Sequence, residues 1–166
     1  MIIVSDTSVL SCLAELGELD LLRQLYGTVT ITASVQREAS HAKAPVALQQ
    51  FVAASWKWLV VLPDVQPYLQ ETGTLDPGEA SAITLAWQHR CSSLLLIDEK
   101  RGRNVSSALG LRITGAAGVL TDAAAAGLID FDDVFQRLAQ TRFRLGSVVV
   151  EVLRLRCRSG FGPPAT

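Results

Sequence analysis

Two apolar segments of the chain each end directly in an aspartate. The segment IIVSD ends at Asp6, and the segment LLLID ends at Asp98. Both segments are continuous in apolar residues, which is typical of strands buried on both faces of a parallel sheet. In such a sheet, ligands bind outside the carboxyl ends of the strands, where the strand order reverses. If the first strand is central and neighbours the second, Asp6 and Asp98 project into one crevice.

Each aspartate also has a purely structural interpretation. An aspartate between a strand and a helix is a favoured N-cap, which contributes about 1 kcal/mol. Taken alone, either residue is better explained as a cap than as a ligand. Their occurrence together at equivalent strand ends shifts the balance towards a site.

Two glutamates are candidates for the same crevice. In LDPGEASAITLAWQHR, Asp76 is the predicted helix cap and Glu79 the third helical residue, so Glu79 can also complete a capping interaction. Glu38 lies in ASVQREASHA, a helix with Ser34 as its predicted cap, among the apolar and small neighbours of that segment. Its side chain is expected to face inward, and a buried carboxylate needs a partner such as a metal ion.

Four converging carboxylates, with no histidine or cysteine among them, suit a hard cation. Mg²⁺ and Mn²⁺ prefer oxygen ligands, whereas zinc prefers nitrogen or sulfur. One or two such ions lower the pKa of a bound water and stabilise charge on a phosphate and its leaving oxygen. The sequence therefore predicts a Mg²⁺ or Mn²⁺ site that acts on a phosphodiester.

The motifs of other phosphate chemistries do not match this sequence. There is no G-x-x-x-x-G-K-[ST] loop, and GLRITGAAG does not fit G-x-G-x-x-G. A haloacid dehalogenase-type phosphotransferase would want a second aspartate two residues after the first, where Ser8 stands. His41 and His89 lack the spacing of metal ligands or of a catalytic triad.

The elements that must position these acids alternate between strand and helix. Strands are predicted at IIVS, TVTIT, SLLLI and LRITG, with helical segments between and after them, and Trp56 and Trp58 are expected to pack against the core. This alternation predicts a three-layer α/β/α sandwich with a mostly parallel central sheet. We expect residues 1–157 to form a single domain and residues 158–166 to be a disordered tail.

Composition and charge fit one soluble domain. The chain has 166 residues, 49% of them hydrophobic, with no apolar run near the roughly 20 residues needed to span a membrane. No basic segment precedes the apolar start, so no signal peptide is expected. Three widely spaced cysteines predict neither disulfides nor zinc and fit a reducing cytoplasm.

The net charge of −1 hides an asymmetry. Residues 1–99 hold five Lys or Arg against eleven Asp or Glu, whereas residues 100–166 hold ten against five. An acidic half joined to a basic half can pair a cation site with a phosphate-binding surface, although ordinary solvated surface explains the same numbers.

Several motifs together resemble a PIN domain. They are VSDTSVLSCLAELGELDLLRQLYG, LDPGEASAITLA, LLLIDEKRGRNVSSALGLRITGAAGVL and AAGLI. The likeness is to the branch with a D-T-S start, a D-P-G-E-A helix and an I-D-E-[KR]-x-G-R stretch, and it runs from about Ile2 to Leu153. The resemblance implies a metal-dependent ribonuclease, often a dimer and often the toxin of a bacterial toxin–antitoxin pair.

The resemblance also implies roles for individual residues. It places the four family acids, as catalytic groups and metal ligands, at Asp6, Glu38, Glu79 and Asp98. Thr7 and Ser8 match the family's hydroxyls beside the first acid, where Ser8 can hydrogen-bond a ligand carboxylate or a metal-bound water. Glu99 matches a fifth acid, either a ligand or a group that supports the ligands.

Two departures from the family pattern concern the metal site and the binding of RNA. Many PIN domains have aspartate where this chain has Glu79, so the longer side chain is expected to bind through water or only to a second metal. The segment TDAAAAGLI lacks the basic residues that relatives often carry there. Binding of RNA is therefore expected to fall to Arg101, Arg103 and Arg112, which can equally be solvated or contact an antitoxin.

The sequence thus predicts a cytoplasmic, Mg²⁺- or Mn²⁺-dependent endoribonuclease with RNA as substrate. A cognate antitoxin and a homodimer are its expected partners, and the leucine-rich helices over 10–25 can cover either a dimer interface or the core. Two alternatives stay open. One is a catalytically inactive PIN scaffold that binds RNA or a protein; the other is a single-metal phosphatase for a small substrate.

Overall fold

A five-stranded parallel sheet forms the centre of the protein. The computed structural model describes residues 1–160, and within them the strands lie in the order β3-β2-β1-β4-β5. Every pairing is parallel. The strands are β1 (Ile2–Ser5), β2 (Val29–Thr32), β3 (Leu59–Leu62), β4 (Ser93–Leu96) and β5 (Ile113–Thr114).

Helices cover both faces of this sheet, which confirms the predicted α/β/α class. They are α1 (Thr7–Leu16), α2 (Asp20–Tyr26), α3 (Ala33–Ala39), α4 (Val46–Ala53), α5 (Pro77–Gln88), α6 (Lys100–Ala108), α7 (Ala116–Ala125), α8 (Phe131–Ala139) and α9 (Ser147–Arg158). Helix α9 extends through Arg158, one residue into the predicted tail. The rest of the disorder predicted for that tail falls mainly on residues 161–166, which lie outside the described residues.

The register of the central strands sets the position of the acids. Strand β1 pairs with β4 from Ile2 opposite Ser93 to Ser5 opposite Leu96. The carboxyl ends of the two strands therefore lie side by side. Asp6 is the first residue after β1, and Asp98 is the second residue after β4. The condition stated for a shared crevice, a central β1 beside β4, is met.

The leucines of α1 and α2 belong to the core. Leu10, Leu13 and Leu22 are fully buried, and Leu16 and Leu19 are nearly so. Of the two explanations for the leucine-rich segment, packing within one chain accounts for these side chains. Within residues 1–160, no helix is both long and apolar enough to cross a membrane.

Strand β3 and Trp56 differ from the expectations. The segment LVVL was not predicted as a strand; it lies at the edge of the sheet, where Val61 is exposed. Trp58 packs against the core as expected, but Trp56 is 45% exposed. Its ring stacks on Phe51, and its indole N–H donates to the Phe51 carbonyl at 2.9 Å.

The cap of α3 is Thr32 rather than Ser34. The Thr32 hydroxyl accepts from the Val35 N–H at 3.3 Å. Ser34 lies inside the helix, where its N–H and hydroxyl both donate to the carboxylate of Asp64, at 2.9 and 2.6 Å. The hydroxyl of Tyr68 also donates to Asp64, at 3.1 Å. Asp64, which follows β3, therefore fixes the start of the helix that carries Glu38.

Replacing this carboxylate is expected to destabilise the fold. Asp64→Ala removes the acceptor for the Ser34 N–H and hydroxyl and for Tyr68, which we expect to lower the free energy of unfolding by about 1–3 kcal/mol. Urea denaturation measures the loss. Asp20→Ala is the control, because the exposed Asp20 side chain contacts Arg23 and Gln24 of its own helix, and its effect should stay within about 0.5 kcal/mol. Equal effects of the two substitutions would contradict the assigned role of Asp64.

Candidate active site

Asp6 is both a helix cap and a buried acid. It follows β1, and its Oδ1 accepts from the Val9 N–H at 3.1 Å, as the N-cap of α1. Its Oδ2 accepts from the Ser8 hydroxyl at 2.6 Å, and the residue is only 1% exposed. Burial raises the pKa of this carboxyl to about 7, although the bonds from Ser8 and Val9 act in the opposite direction. The negative charges of Asp98 and Glu79 raise the pKa further.

Ser8 connects Asp6 to the neighbouring strand end. Its hydroxyl donates to Asp6 and accepts from the Asp98 N–H at 3.1 Å. The Asp98 carboxylate does not cap the helix that follows it, which begins after Glu99. Instead it accepts from the N–H of Ala116, at 3.1 Å to Oδ1, at the start of α7. Burial raises the pKa of Asp98 to about 6, against the opposing effects of Ala116 and Arg103.

Glu38 joins three helices at the same place. Its Oε2 accepts from the Thr7 hydroxyl of α1 at 2.7 Å. Its Oε1 accepts from the Gly78 N–H in the first turn of α5, also at 2.7 Å. The side chain is therefore held in one orientation by the two neighbouring helices.

Glu79 is the one acid of the four with a buried atom that has no hydrogen-bond partner. Within residues 1–160, its Oε1 is buried and accepts no hydrogen bond. The pKa of Glu79 is raised by burial and by the negative charge of Glu99, while a bond from the Asp76 N–H opposes the shift. The Asp76 side chain, the predicted cap, makes no hydrogen bond to the helix. Glu79 keeps Oε1 available as an acceptor.

Glycines make room for three of these carboxylates. A Cβ on Gly78 would collide with the Glu38 carboxylate, and one on Gly102 would collide with Glu79 Oε1 and with Ile97. A Cβ on Gly115 would collide with Asp98. Gly78 lies in α5, Gly102 lies in α6, and Gly115 directly precedes α7. The backbone at these positions forms part of the wall around the acids.

The acids face a single cleft of about 540 Å³, which we call the acidic cleft. All seven acids and hydroxyl residues predicted for the site line it: Asp6, Thr7, Ser8, Glu38, Glu79, Asp98 and Glu99. The sequence reasoning missed Lys100 and Arg142, the two basic residues that residues 1–160 place on its wall. Lys100 follows Glu99 directly and could have been found by adjacency. Arg142 lies between α8 and α9, and nothing in its local sequence pointed to the cleft.

The three predicted RNA-binding arginines lie outside the acidic cleft's lining. Arg101 is exposed on α6. Arg103 donates to the Ile97 carbonyl at 2.8 Å, beside Asp98. Arg112 precedes β5, where its guanidinium reaches the sulfur of Met1 at 3.8 Å. Because all strands of the described sheet are parallel, this position is at the amino ends of the strands, opposite the acids.

The donor set fits a hard divalent cation. Within residues 1–160, no three His, Cys, Asp or Glu side chains form a ready-made ion cage. The chemistry of the cleft nevertheless matches such a cation. The four acids offer oxygen ligands only, burial and neighbouring carboxylates disfavour the negative charges of Asp6 and Glu79, and Glu79 Oε1 is an acceptor without a donor among residues 1–160. A cation placed among them would relieve the repulsion and give Glu79 Oε1 a partner.

Comparison with known proteins identifies the family. The model of the PIN domain matches residues 2–157, and the chain belongs to the PIN domain family. No curated protein matches the sequence. A solved structure of similar fold is a PilT N-terminus domain protein from the hyperthermophilic archaeon Sulfolobus solfataricus. It has a TM-score of 0.50 and 14% identity, over 88% of this chain and 100% of that one. At this identity the likeness shows the fold alone.

Membership in this family has a general functional meaning. PIN domains commonly have nuclease activity and bind RNA, and they typically use a divalent metal. The predicted resemblance to a PIN domain is confirmed.

The raised pKa values predict how stability depends on pH. When a chelator keeps the protein free of metal ions, Asp6 and Asp98 bind protons more tightly in the folded than in the unfolded state. Folding is therefore favoured at low pH. This stability is lost as the pH rises from about 4 to about 7. Asp6→Asn, which mimics the neutral form, should therefore be more stable than the wild type at pH 8, by on the order of 2 kcal/mol.

Urea denaturation at pH 5 and pH 8 measures this difference. The gap between Asp6→Asn and the wild type should shrink at pH 5, where the wild-type carboxyl is protonated. Asp130→Asn is the control, because Asp130 caps α8 by the same type of bond, to the Asp133 N–H, outside the acidic cleft. A stability difference that is the same at both pH values would contradict the raised pKa of Asp6 in the folded protein.

The close contact between these glycines and the carboxylates predicts that one added methyl group disturbs the site. Gly102→Ala should displace the Glu79 carboxylate and weaken Mn²⁺ binding, by about tenfold or more in titration calorimetry. Gly146→Ala is the control, because a Cβ there meets no atom within 4 Å. Unchanged Mn²⁺ affinity in Gly102→Ala would show that the position of Glu79 is not needed for the ion.

Proposed function

We propose that this protein is an endoribonuclease dependent on Mg²⁺ or Mn²⁺. The observation that carries the proposal is the convergence of Asp6, Glu38, Glu79 and Asp98 on one cleft, with Glu79 Oε1 buried and unpartnered within residues 1–160. These four side chains would hold the cation. When bound, it would supply Lewis-acid stabilisation of phosphate charge and lower the pKa of a water.

The chain's own groups prepare the cleft for this role. Thr7 and the Gly78 N–H fix the two oxygens of Glu38. Ser8 fixes the Asp6 carboxylate and ties it to the Asp98 backbone, so two strand ends are held at constant separation. Such preorganisation avoids rearranging charged groups while the reaction proceeds.

Two cations line the cleft in which the substrate would bind. Lys100 and Arg142 line the acidic cleft on different elements, α6 and the segment between α8 and α9. Their positive charges would offset the repulsion between the RNA phosphates and the carboxylates. Thr141 and Phe143, on either side of Arg142, also line the cleft and would limit access of water to the bound phosphate.

The biological role that we propose is that of the toxin in a toxin–antitoxin pair, acting in the cytoplasm. Its proposed partners are the RNA substrate, a cognate antitoxin protein and a second copy of the chain. The support for this role is the resemblance of the D-T-S, D-P-G-E-A and I-D-E-K-R-G-R motifs to the toxin branch of the family.

Cleavage of RNA by the purified protein tests the proposal. We expect cleavage with Mg²⁺ or Mn²⁺, none in EDTA, and a fall in kcat/KM of at least about 100-fold for Asp6→Asn. Asp130→Asn should cleave at the wild-type rate, because it alters an equivalent helix cap outside the cleft.

The alternatives give different results in the same assay. Activity that survives both EDTA and Asp6→Asn would overturn the metal mechanism. A non-catalytic scaffold would bind RNA equally well with or without Asp6→Asn and would not cleave it, whichever divalent ion is added. A phosphatase for small substrates would turn over p-nitrophenyl phosphate but not RNA.

A further inference from the structure

A second hollow adjoins the acidic cleft. It has a volume of about 470 Å³ and shares Thr7, Ser11 and Glu38 with the cleft. Its other wall is the segment from α3 to the start of α4, with Arg37, His41, Lys43, Ala44 and Pro45. We call it the basic hollow. A ligand that fills the cleft and extends past Glu38 enters it directly.

The two spaces have opposite charge. Among residues 1–160, seven carboxylates and two cations line the acidic cleft. In the same part of the chain, Glu38 is the one carboxylate on the wall of the basic hollow, against the two cations Arg37 and Lys43. A polyanion is therefore repelled by the cleft until a cation is bound there, whereas the hollow attracts it from the outset.

The basic groups of the hollow present hydrogen-bond donors. Arg37 donates to the Ser34 hydroxyl at 2.6 Å and to Asp64 at 3.2 Å, while its side chain is 68% exposed. These contacts hold the guanidinium in place, and its five N–H donors exceed what they use. Such a group suits the geometry of a phosphate.

His41 contributes a donor through its tautomer. Its Nδ1 accepts from the Lys43 N–H at 3.2 Å. A neutral imidazole that accepts at Nδ1 carries its hydrogen on Nε2, which then donates. Together with the ammonium of Lys43, the hollow thus offers donors from three side chains and is built to bind an anion with several oxygens.

We propose that the basic hollow binds a backbone phosphate of single-stranded RNA, next to the phosphate held in the acidic cleft. This inference rests on the proposed ribonuclease function. Continuity with the cleft favours RNA over an acidic protein segment, because a nucleic-acid strand carries phosphates at regular spacing along both spaces. The hollow would determine the direction in which the RNA strand leaves the cleavage site. The sequence predicted no RNA contact on this surface.

The test compares two double variants in RNA binding. Arg37→Gln/Lys43→Gln removes two charges from the hollow. Arg23→Gln/Lys57→Gln removes two exposed charges elsewhere, and Arg23 pairs with an aspartate as Arg37 does. Affinity for a single-stranded RNA oligonucleotide is measured by fluorescence anisotropy in EDTA, which prevents cleavage, at several salt concentrations.

The hollow variant should bind RNA about tenfold more weakly than the wild type does. This loss corresponds to about 1.4 kcal/mol of binding free energy. The slope of log affinity against log salt should become shallower by about 0.7 for each RNA phosphate that the variant no longer binds. In cleavage assays, the same variant should raise KM more than it lowers kcat. The control pair should bind as the wild type does.

Because Arg37 also contacts Asp64, Lys43→Glu is measured as a second variant. It leaves that contact intact and should weaken RNA binding by itself. Equal binding by the hollow and control variants, or no RNA binding by the wild type, would overturn the proposal. Stronger binding of poly-glutamate than of RNA of equal charge would also overturn it, in favour of an acidic protein partner.

The assays separate this inference from the proposed function. Selective loss of binding in the hollow variants without any cleavage by the wild type would uphold the hollow and refute the ribonuclease. Cleavage by the wild type with equal KM in both double variants would uphold the ribonuclease and refute the hollow.

Discussion

The placement of several carboxylates together, where water does not fully solvate their charge, is the constraint around which this protein is organised. Burial raises the pKa of Asp6, Asp98 and Glu79, and the negative charges of neighbouring carboxylates raise each pKa further. An arrangement of this kind costs free energy in folding. It persists because the surrounding sheet and helices supply the stability that offsets this cost. The bonds from Ser8, Val9 and Ala116 recover part of it.

The fold brings the acids together by register rather than by sequence proximity. Strand β1 is central, and its level pairing with β4 aligns the two strand ends that carry Asp6 and Asp98. Glu38 and Glu79 arrive on helices that start near the same edge of the sheet. Asp64 and Thr32 fix the first of these helices. Each acid is therefore positioned by an element that is itself held by contacts outside the cleft.

Much of this was accessible from the sequence. Continuous apolar strands ending in acid predicted the parallel sheet and the pairing of Asp6 with Asp98, because the carboxyl ends of parallel strands share an edge. The D-P-G-E-A start predicted the helix that carries Glu79, and the structure contains it as α5, which begins at Pro77. Strand β3 was not predicted, because a run of four apolar residues beside two tryptophans does not by itself distinguish a strand from a helical segment.

Other features depend on distances that no sequence pattern encodes. Ser34 was predicted to be a cap from its type, but Thr32 has the extended backbone at the helix start and Ser34 instead meets Asp64. Arg142 reaches the cleft from a loop more than 40 residues beyond Asp98. The contacts of the basic hollow depend on how the segment after α3 folds back beside α1.

The glycines around the acids have a consequence for recognising active members of this family. Gly78, Gly102 and Gly115 contribute no functional side-chain atom, yet each leaves the volume that one carboxylate occupies. A related chain that retains all four acids but has a side chain at these positions would keep the fold and lose the arrangement. Searches for functional relatives should therefore require glycine at these three positions as strictly as they require the four acids.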